Sequence, residues 1–125
     1  MFMQAYREQT YALLRIIAGF LFIFHGAQKL FGFPLPLPQE APALIIYGAG
    51  GIELVGGILV MIGFFTRWAA FLCSGLMAAA YWMAHGPQGL WPIANQGELA
   101  VLYCFIFLLI AAKGVGMWGV DAAEA

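Results

Sequence analysis

Four apolar stretches, at about Tyr11 to Phe31, Ala43 to Phe65, Trp68 to Ala84 and Gly97 to Ala112, fill most of this chain. A helix at the edge of a soluble domain alternates apolar and polar residues with a period near 3.6, but these stretches stay apolar around every face. Only 9% of the 125 residues are charged and 64% are hydrophobic, too few charges to solvate a small globular surface. The expected fold is all-α: a polytopic membrane protein, an antiparallel bundle of four transmembrane helices in one domain spanning 1–125. The helices are expected at about 11–31, 43–65, 67–85 and 96–113. A span takes roughly 17 to 25 residues, so the last two reach across only if Arg67, His85, Asn95 and Lys113 count as interfacial ends. Pro34, Pro36, Pro38 and Pro42 make 32–42 a loop, and Pro87 and Pro92 do the same for 86–92. Phe65, Thr66 and Arg67 alone separate the second and third stretches, which must therefore form a helical hairpin. The first stretch resembles a signal peptide, but it is long, contains His25 and Lys29, and is followed by no small-residue cleavage site, so it is read as a mature helix.

The net charge of −1 carries no basic excess, and nucleic acid is excluded as a partner. If four helices alternate, Arg7, Arg15, Arg67 and Lys113 fall on one side and Lys29 near the other. The basic side is expected to be cytoplasmic, with both termini there. Tyr11, Trp68 and Trp118 near the basic side, and Trp82 and Trp91 near the proline loops, suit two interfacial belts.

A charge at mid-bilayer costs about 2.5 to 3.5 kcal/mol even on the lenient insertion scale, so polar residues within the spans need partners. Glu53 sits mid-helix with Ala49, Gly50, Gly56 and Gly57 as its helical neighbours. That face is nearly bare backbone, and Gly50 with Gly57 and Gly56 with Gly63 extend it at heptad spacing, so Glu53 is expected to point into the bundle. The run GAGGIE lacks the third glycine of a dinucleotide fingerprint and follows no strand. His25, Gln28 and Lys29 cluster on the first helix. Ser74, Tyr81 and His85 share a face of the third, and Asn95 and Glu98 open the fourth. His25, Lys29, Glu53, Tyr81, His85, Asn95 and Glu98 thus converge in the outer half, where they could bind and protonate a small polar head such as a quinone ring.

A bland reading stands beside this one. Lys29 with Glu98, and Arg15 or Arg67 with Glu53, could be ion pairs that only fix helix packing. Interhelical hydrogen bonding is the ordinary use of Tyr81, Asn95 and Gln28 in membranes. Nothing calls for haem: two histidines at similar depth are not joined by a C-x-x-C-H attachment motif. No metal motif is present, the E-x-x-H spacing of di-iron bundles being absent. Cys73 and Cys104 are single residues on different helices and read as small packing residues.

Three runs carry a resemblance: Arg15 to Gly32 (RIIAGFLFIFHGAQKLFG), Glu53 to Arg67 (ELVGGILVMIGFFTR), and Asn95 to Lys113 followed by GVGMWGVDA. With the ordered set Arg15, Gly26, Lys29, Glu53, Gly57, Arg67, Glu98 and Asp121, the chain resembles the DoxX family over nearly its whole length. The resemblance implies a bacterial inner-membrane protein of four helices. It also implies association with oxidoreductase systems: thiosulfate-to-quinone electron transfer, quinone and catechol resistance, and complexes active against oxidative stress through superoxide detoxification. Gly119 departs from the serine that many relatives place there. Asp121 remains, and its expected role is an ion pair with Arg67 or Arg15. Two functions follow as expectations. The first is a subunit that binds a quinone in the outer-half pocket and assists electron or proton transfer; the second is a non-catalytic scaffold or assembly factor for an oxidoreductase or detoxification partner. Besides the lipid bilayer, a second copy of the chain or a partner oxidoreductase is the expected contact.

Overall fold

A computed structural model describes residues 1–122. Among these residues the chain is helical, without strands. A short 3-10 turn, Phe2–Tyr6, runs into α1, Arg7–Phe31. The proline loop follows, then a π-helical segment, Leu44–Ala49, which continues directly into α2, Gly50–Ile62. Helix α3, Thr66–Ala80, likewise continues as a π-helical segment, Tyr81–His85. A 3-10 turn, Gly86–Gln88, and a four-residue helix α4, Pro92–Asn95, lead to α5, Glu98–Lys113.

The surface is inside-out relative to a water-soluble protein. Leu13, Ile17, Phe71, Leu102 and Phe105 are all more than half exposed, while Arg15, Glu53, Thr66 and Asn95 are at most 1% exposed. Such a surface suits lipid, where polar groups must be satisfied within the protein. Among the described residues two helices are long and apolar enough to cross a membrane: Phe2–Phe31, with mean hydropathy 1.6, and Leu44–Ile62, with mean hydropathy 2.0. The expected third and fourth spans fall short by that measure. Helix α5 has 16 residues, about 24 Å at 1.5 Å per residue, against a hydrocarbon core of about 30 Å.

Glycine sets the pairing of α1 with α2. A Cβ on Gly19 would lie 2.6 Å from the Met61 amide nitrogen, and one on Gly26 would lie 2.5 Å from that of Leu54. The two backbones therefore touch, and the order of contacts makes the helices antiparallel. Helix α5 packs along α3, where the Ser74 hydroxyl donates to the Cys104 carbonyl at 2.7 Å. Phe22 of α1 packs on Tyr103 and Phe107 of α5, with ring centroids 5.0 and 4.7 Å apart, which joins the two pairs in one core.

At the basic end the helix termini are capped from elsewhere in the chain. Helix α2 stops at Gly63, whose φ of +73° is the left-handed conformation glycine adopts without steric cost. The guanidinium of Arg15 donates to the Val60 and Met61 carbonyls in the last turn of α2 and to those of Met117 and Trp118 in the tail, all at 2.8–3.0 Å. Arg67 does the same for α5, donating to the carbonyls of Ala111, Ala112 and Lys113. A cation at a helix C-terminus satisfies orphan carbonyls and meets the negative end of the dipole.

Asp121 caps the start of α3, which has no side-chain cap of its own. Its carboxylate accepts from the Phe65 amide (3.0 Å), the Thr66 amide (2.9 Å) and the Thr66 hydroxyl (2.8 Å). For Arg15 and Asp121, expected from sequence as ion-pair members, the hydrogen-bond partners are backbone and hydroxyl groups at the helix ends, and the Arg15 charge also favours the Asp121 carboxylate. Gly119 also has a reason. A Cβ there would lie 2.1 Å from Cγ2 of Val115 and 3.2 Å from the Cα of Gly63, so the tail crosses the α2–α3 turn too closely for a serine.

The Thr66 amide, above all, holds the Asp121 carboxyl below its ordinary value of 3.8, with burial opposing. Because the folded value is the lower one, the clasp's stabilisation is complete above 3.8 and is lost as pH falls from there through the folded value. Thermal unfolding in detergent should therefore show an acid-side loss of stability that is smaller in Asp121→Asn, which should also be less stable at neutral pH by about 1 kcal/mol.

Candidate functional site

At the opposite end a cavity of about 560 Å³ opens between the helices. Its polar end is made by α1 and α2. Lys29, four residues beyond His25 and so on the same helix face, places its ammonium 2.7 Å from Oε1 of Glu53. The Lys29 side chain is 18% exposed and that of Glu53 only 2%. The pair can form because the helices are in backbone contact: Gly26 lies one turn before Lys29, and Gly50 packs against the Lys29 Cβ. A larger residue at either glycine would separate the partners.

His25 and Tyr103 complete the polar end. Their rings meet edge to face with centroids 5.6 Å apart, and Tyr103 also stacks on Phe107. Among the described residues neither ring makes a hydrogen bond, so the imidazole nitrogens and the phenol hydroxyl are left to the cavity that both line. The remaining walls are mostly apolar: Ile45 and Ala49 before α2, Leu76, Met77 and Ala80 on α3, and Leu99 and Ala100 on α5. His85 and Gln96 stand at the rim, with Nδ1 of His85 held 3.1 Å from the Asn95 carbonyl. No group of three His, Cys, Asp or Glu side chains close enough to hold a metal ion occurs among the described residues.

Of the seven residues expected at the site, His25, Lys29, Glu53 and His85 line this cavity. Tyr81 and Asn95 do not. The Asn95 amide donates to the Tyr81 hydroxyl (3.0 Å) and to the Gly89 carbonyl (2.9 Å), its oxygen accepts from the Gly97 amide (2.8 Å), and Tyr81 donates to the Leu90 carbonyl (3.0 Å). They fasten the loop between α3 and α5, and their polar atoms face each other. Glu98 is exposed outside the cavity, and the ion pair expected between it and Lys29 is replaced by the pair with Glu53. Sequence reading missed Tyr103. Leu99, Ala100 and Tyr103 share one face of α5 by their spacing, but a tyrosine in an evenly apolar helix reads as core.

Residues 10–86 match the DoxX family. This chain belongs to the DoxX family. It is 42% identical over 125 residues to an uncharacterised protein of Haemophilus influenzae, covering 95% of this chain and 93% of that one. A second uncharacterised protein of the same organism is 24% identical over 119 residues, 87% of this chain and 79% of its own. The putative oxidoreductase CatD of Bacillus subtilis is 37% identical over 59 residues, 44% of each chain. No solved structure matches. The chain is thus a DoxX-family membrane protein with two candidate spans among the described residues, a character that suits contact with a lipid bilayer.

Proposed function

We propose that this protein binds a quinone or a similar small redox molecule in the cavity and assists electron or proton transfer within a membrane complex. The observation that carries this reading is a cavity of about 560 Å³ whose walls are apolar and whose inner end holds Lys29, Glu53, His25 and Tyr103. Small-molecule sites are commonly clefts of roughly 300 to 1,000 Å³ with apolar walls and a few convergent polar groups. The residues fit a quinone: a flat apolar ring takes the apolar walls, and ring oxygens take N–H and O–H donors. The bound group would supply the redox chemistry, while the protein's share is to orient the ring, exclude water and hold protons at Nε2 or Nδ1 of His25 and at the Lys29–Glu53 pair. The oxidoreductase name of the Bacillus subtilis relative agrees with this class.

In the same reading four segments, α1, 44–62, 66–85 and α5, cross the bacterial inner membrane as an antiparallel bundle. Their hairpin turn and the arginine-capped end, with both termini, then lie on the cytoplasmic side. The bilayer meets the shortness of α5 by local thinning, at fractions of a kcal/mol per Å. The partner is an oxidoreductase or a second copy of the chain.

The closed 2.7 Å contact between Lys29 and Glu53 favours a second reading, in which the pair is purely structural and the protein is a membrane scaffold. Lipid extraction and mass spectrometry of protein purified gently from its native membrane separate the two. Near-stoichiometric quinone is expected from the wild type and at least tenfold less from Tyr103→Phe combined with His25→Leu. Quinone at only the bulk-lipid ratio in both samples would leave the scaffold.

A further inference from the structure

The cavity takes part of its lining from both α2 and α3 and their extensions, and that lining bears on how its ligand arrives. Near their shared turn the two helices touch, since a Cβ on Gly56 would lie 2.5 Å from Sγ of Cys73. Further along, both contribute to the cavity's lining. Ile45, Ala49 and Glu53 on one side, and Leu76, Ala80 and Met83 on the other, face the cavity between them. Both walls become π-helical here, at Leu44–Ala49 and Tyr81–His85, a distortion that often marks functional sites. Met83, which lines the cavity, is 67% exposed, so the cavity reaches an apolar part of the surface. Deep inside, Tyr103 is only 5% exposed, yet its hydroxyl makes no hydrogen bond among the described residues and lines the cavity beside His25.

Resting on the quinone-site reading above, we propose that the ligand is a tailed amphiphile taken from the bilayer. Its head is held by the Tyr103 hydroxyl and the His25 ring, and its hydrocarbon tail leaves through the seam between Ala49 and Ala80. The chemistry favours this over a water-soluble ring. A tail lying in the seam covers apolar walls that a bare ring leaves empty, and it keeps the head at the depth of the ion pair without exposing either to water. Tyr103 and His25 are the ligand's hydrogen-bond partners, and Lys29 with Glu53 positions the surface beneath it.

The test uses the full chain in lipid nanodiscs and follows quenching of tryptophan fluorescence. The probes are 2,3-dimethoxy-5-methylbenzoquinone and the same ring carrying a decyl tail, compared at equal mole fraction in the lipid. The tailed probe should bind at least tenfold more tightly. Ala80→Phe, which plugs the seam, should abolish that advantage so that the two probes bind alike, whereas Tyr103→Phe should weaken both probes about fivefold and keep the advantage. Ala49→Phe plugs the seam from the other wall and serves in place of Ala80→Phe if thermal unfolding shows the latter to be misfolded. Equal affinity of the two probes, or a tail advantage that survives the plug, would overturn lateral entry while leaving the quinone site standing. Failure of both probes to bind would overturn the two together.

Discussion

Glu53→Gln, and separately Lys29→Met, should each destabilise the protein in detergent by about 3 to 5 kcal/mol, because each leaves a charge in the bundle without its partner. The double variant Lys29→Met with Glu53→Leu should recover most of that loss. Its two apolar side chains fill a similar volume and leave no charge to solvate, and replacing a whole buried pair is often neutral or stabilising. The recovered protein then gives a clean functional reading. If the pair serves only to fix α1 against α2, the double variant should capture its partner and carry quinone as the wild type does. If the pair forms the floor of the ligand site, the double variant should be as stable as the wild type while its bound quinone falls at least tenfold. Thermal unfolding together with extracted-quinone content decides the point. Single variants alone cannot, since misfolding and loss of the site look alike.

Which parts of this arrangement were legible in the sequence depends on how many helices a feature involves. Glu53 was predicted to point inward from its own helix alone, given Ala49, Gly50, Gly56 and Gly57 around it, and it is 1% exposed. Its partner requires knowledge of which helix lies opposite and in what register. Lys29, Arg15 and Arg67 were all compatible with charge alone, and the register is set by the contacts of Gly19 and Gly26 with α2. Tyr81 and Asn95 turn to each other, a choice made by the loop between them. The charges of Arg15 and Arg67 by themselves suggest carboxylate partners. Five donors in a planar fork suit the clustered carbonyls of a helix end equally well, and composition does not reveal where such an end lies. The tail illustrates the same limit. Its glycine at 119 looks like a departure from relatives until the α2–α3 turn is seen passing beneath it.

Gly26→Leu should abolish the native fold or lower its stability by more than the 1 to 3 kcal/mol typical of overpacking. The neighbours of an added Cβ are backbone atoms, the Leu54 amide nitrogen at 2.5 Å and the Gly50 carbonyl oxygen at 2.7 Å, and no rotamer change can move them aside. The helices would have to separate, and close van der Waals approach is most of what holds helices together in lipid. Separation also stretches the Lys29–Glu53 contact one turn away, so Gly26→Ala, the milder change, should lower bound quinone along with thermal stability. Gly19→Ala makes the same clash with Met61 and Gly57 nearer the basic end. It should lower stability by a similar amount but disturb the cavity less. Gly51 and Gly75 supply the contrast: a Cβ at either meets nothing within 4 Å. Alanine there should be neutral or stabilise by up to about 1 kcal/mol, through helix propensity alone. If Gly26→Ala and Gly51→Ala unfold at the same temperature, α1 and α2 are not in backbone contact, and the Lys29–Glu53 pair has no scaffold to hold it.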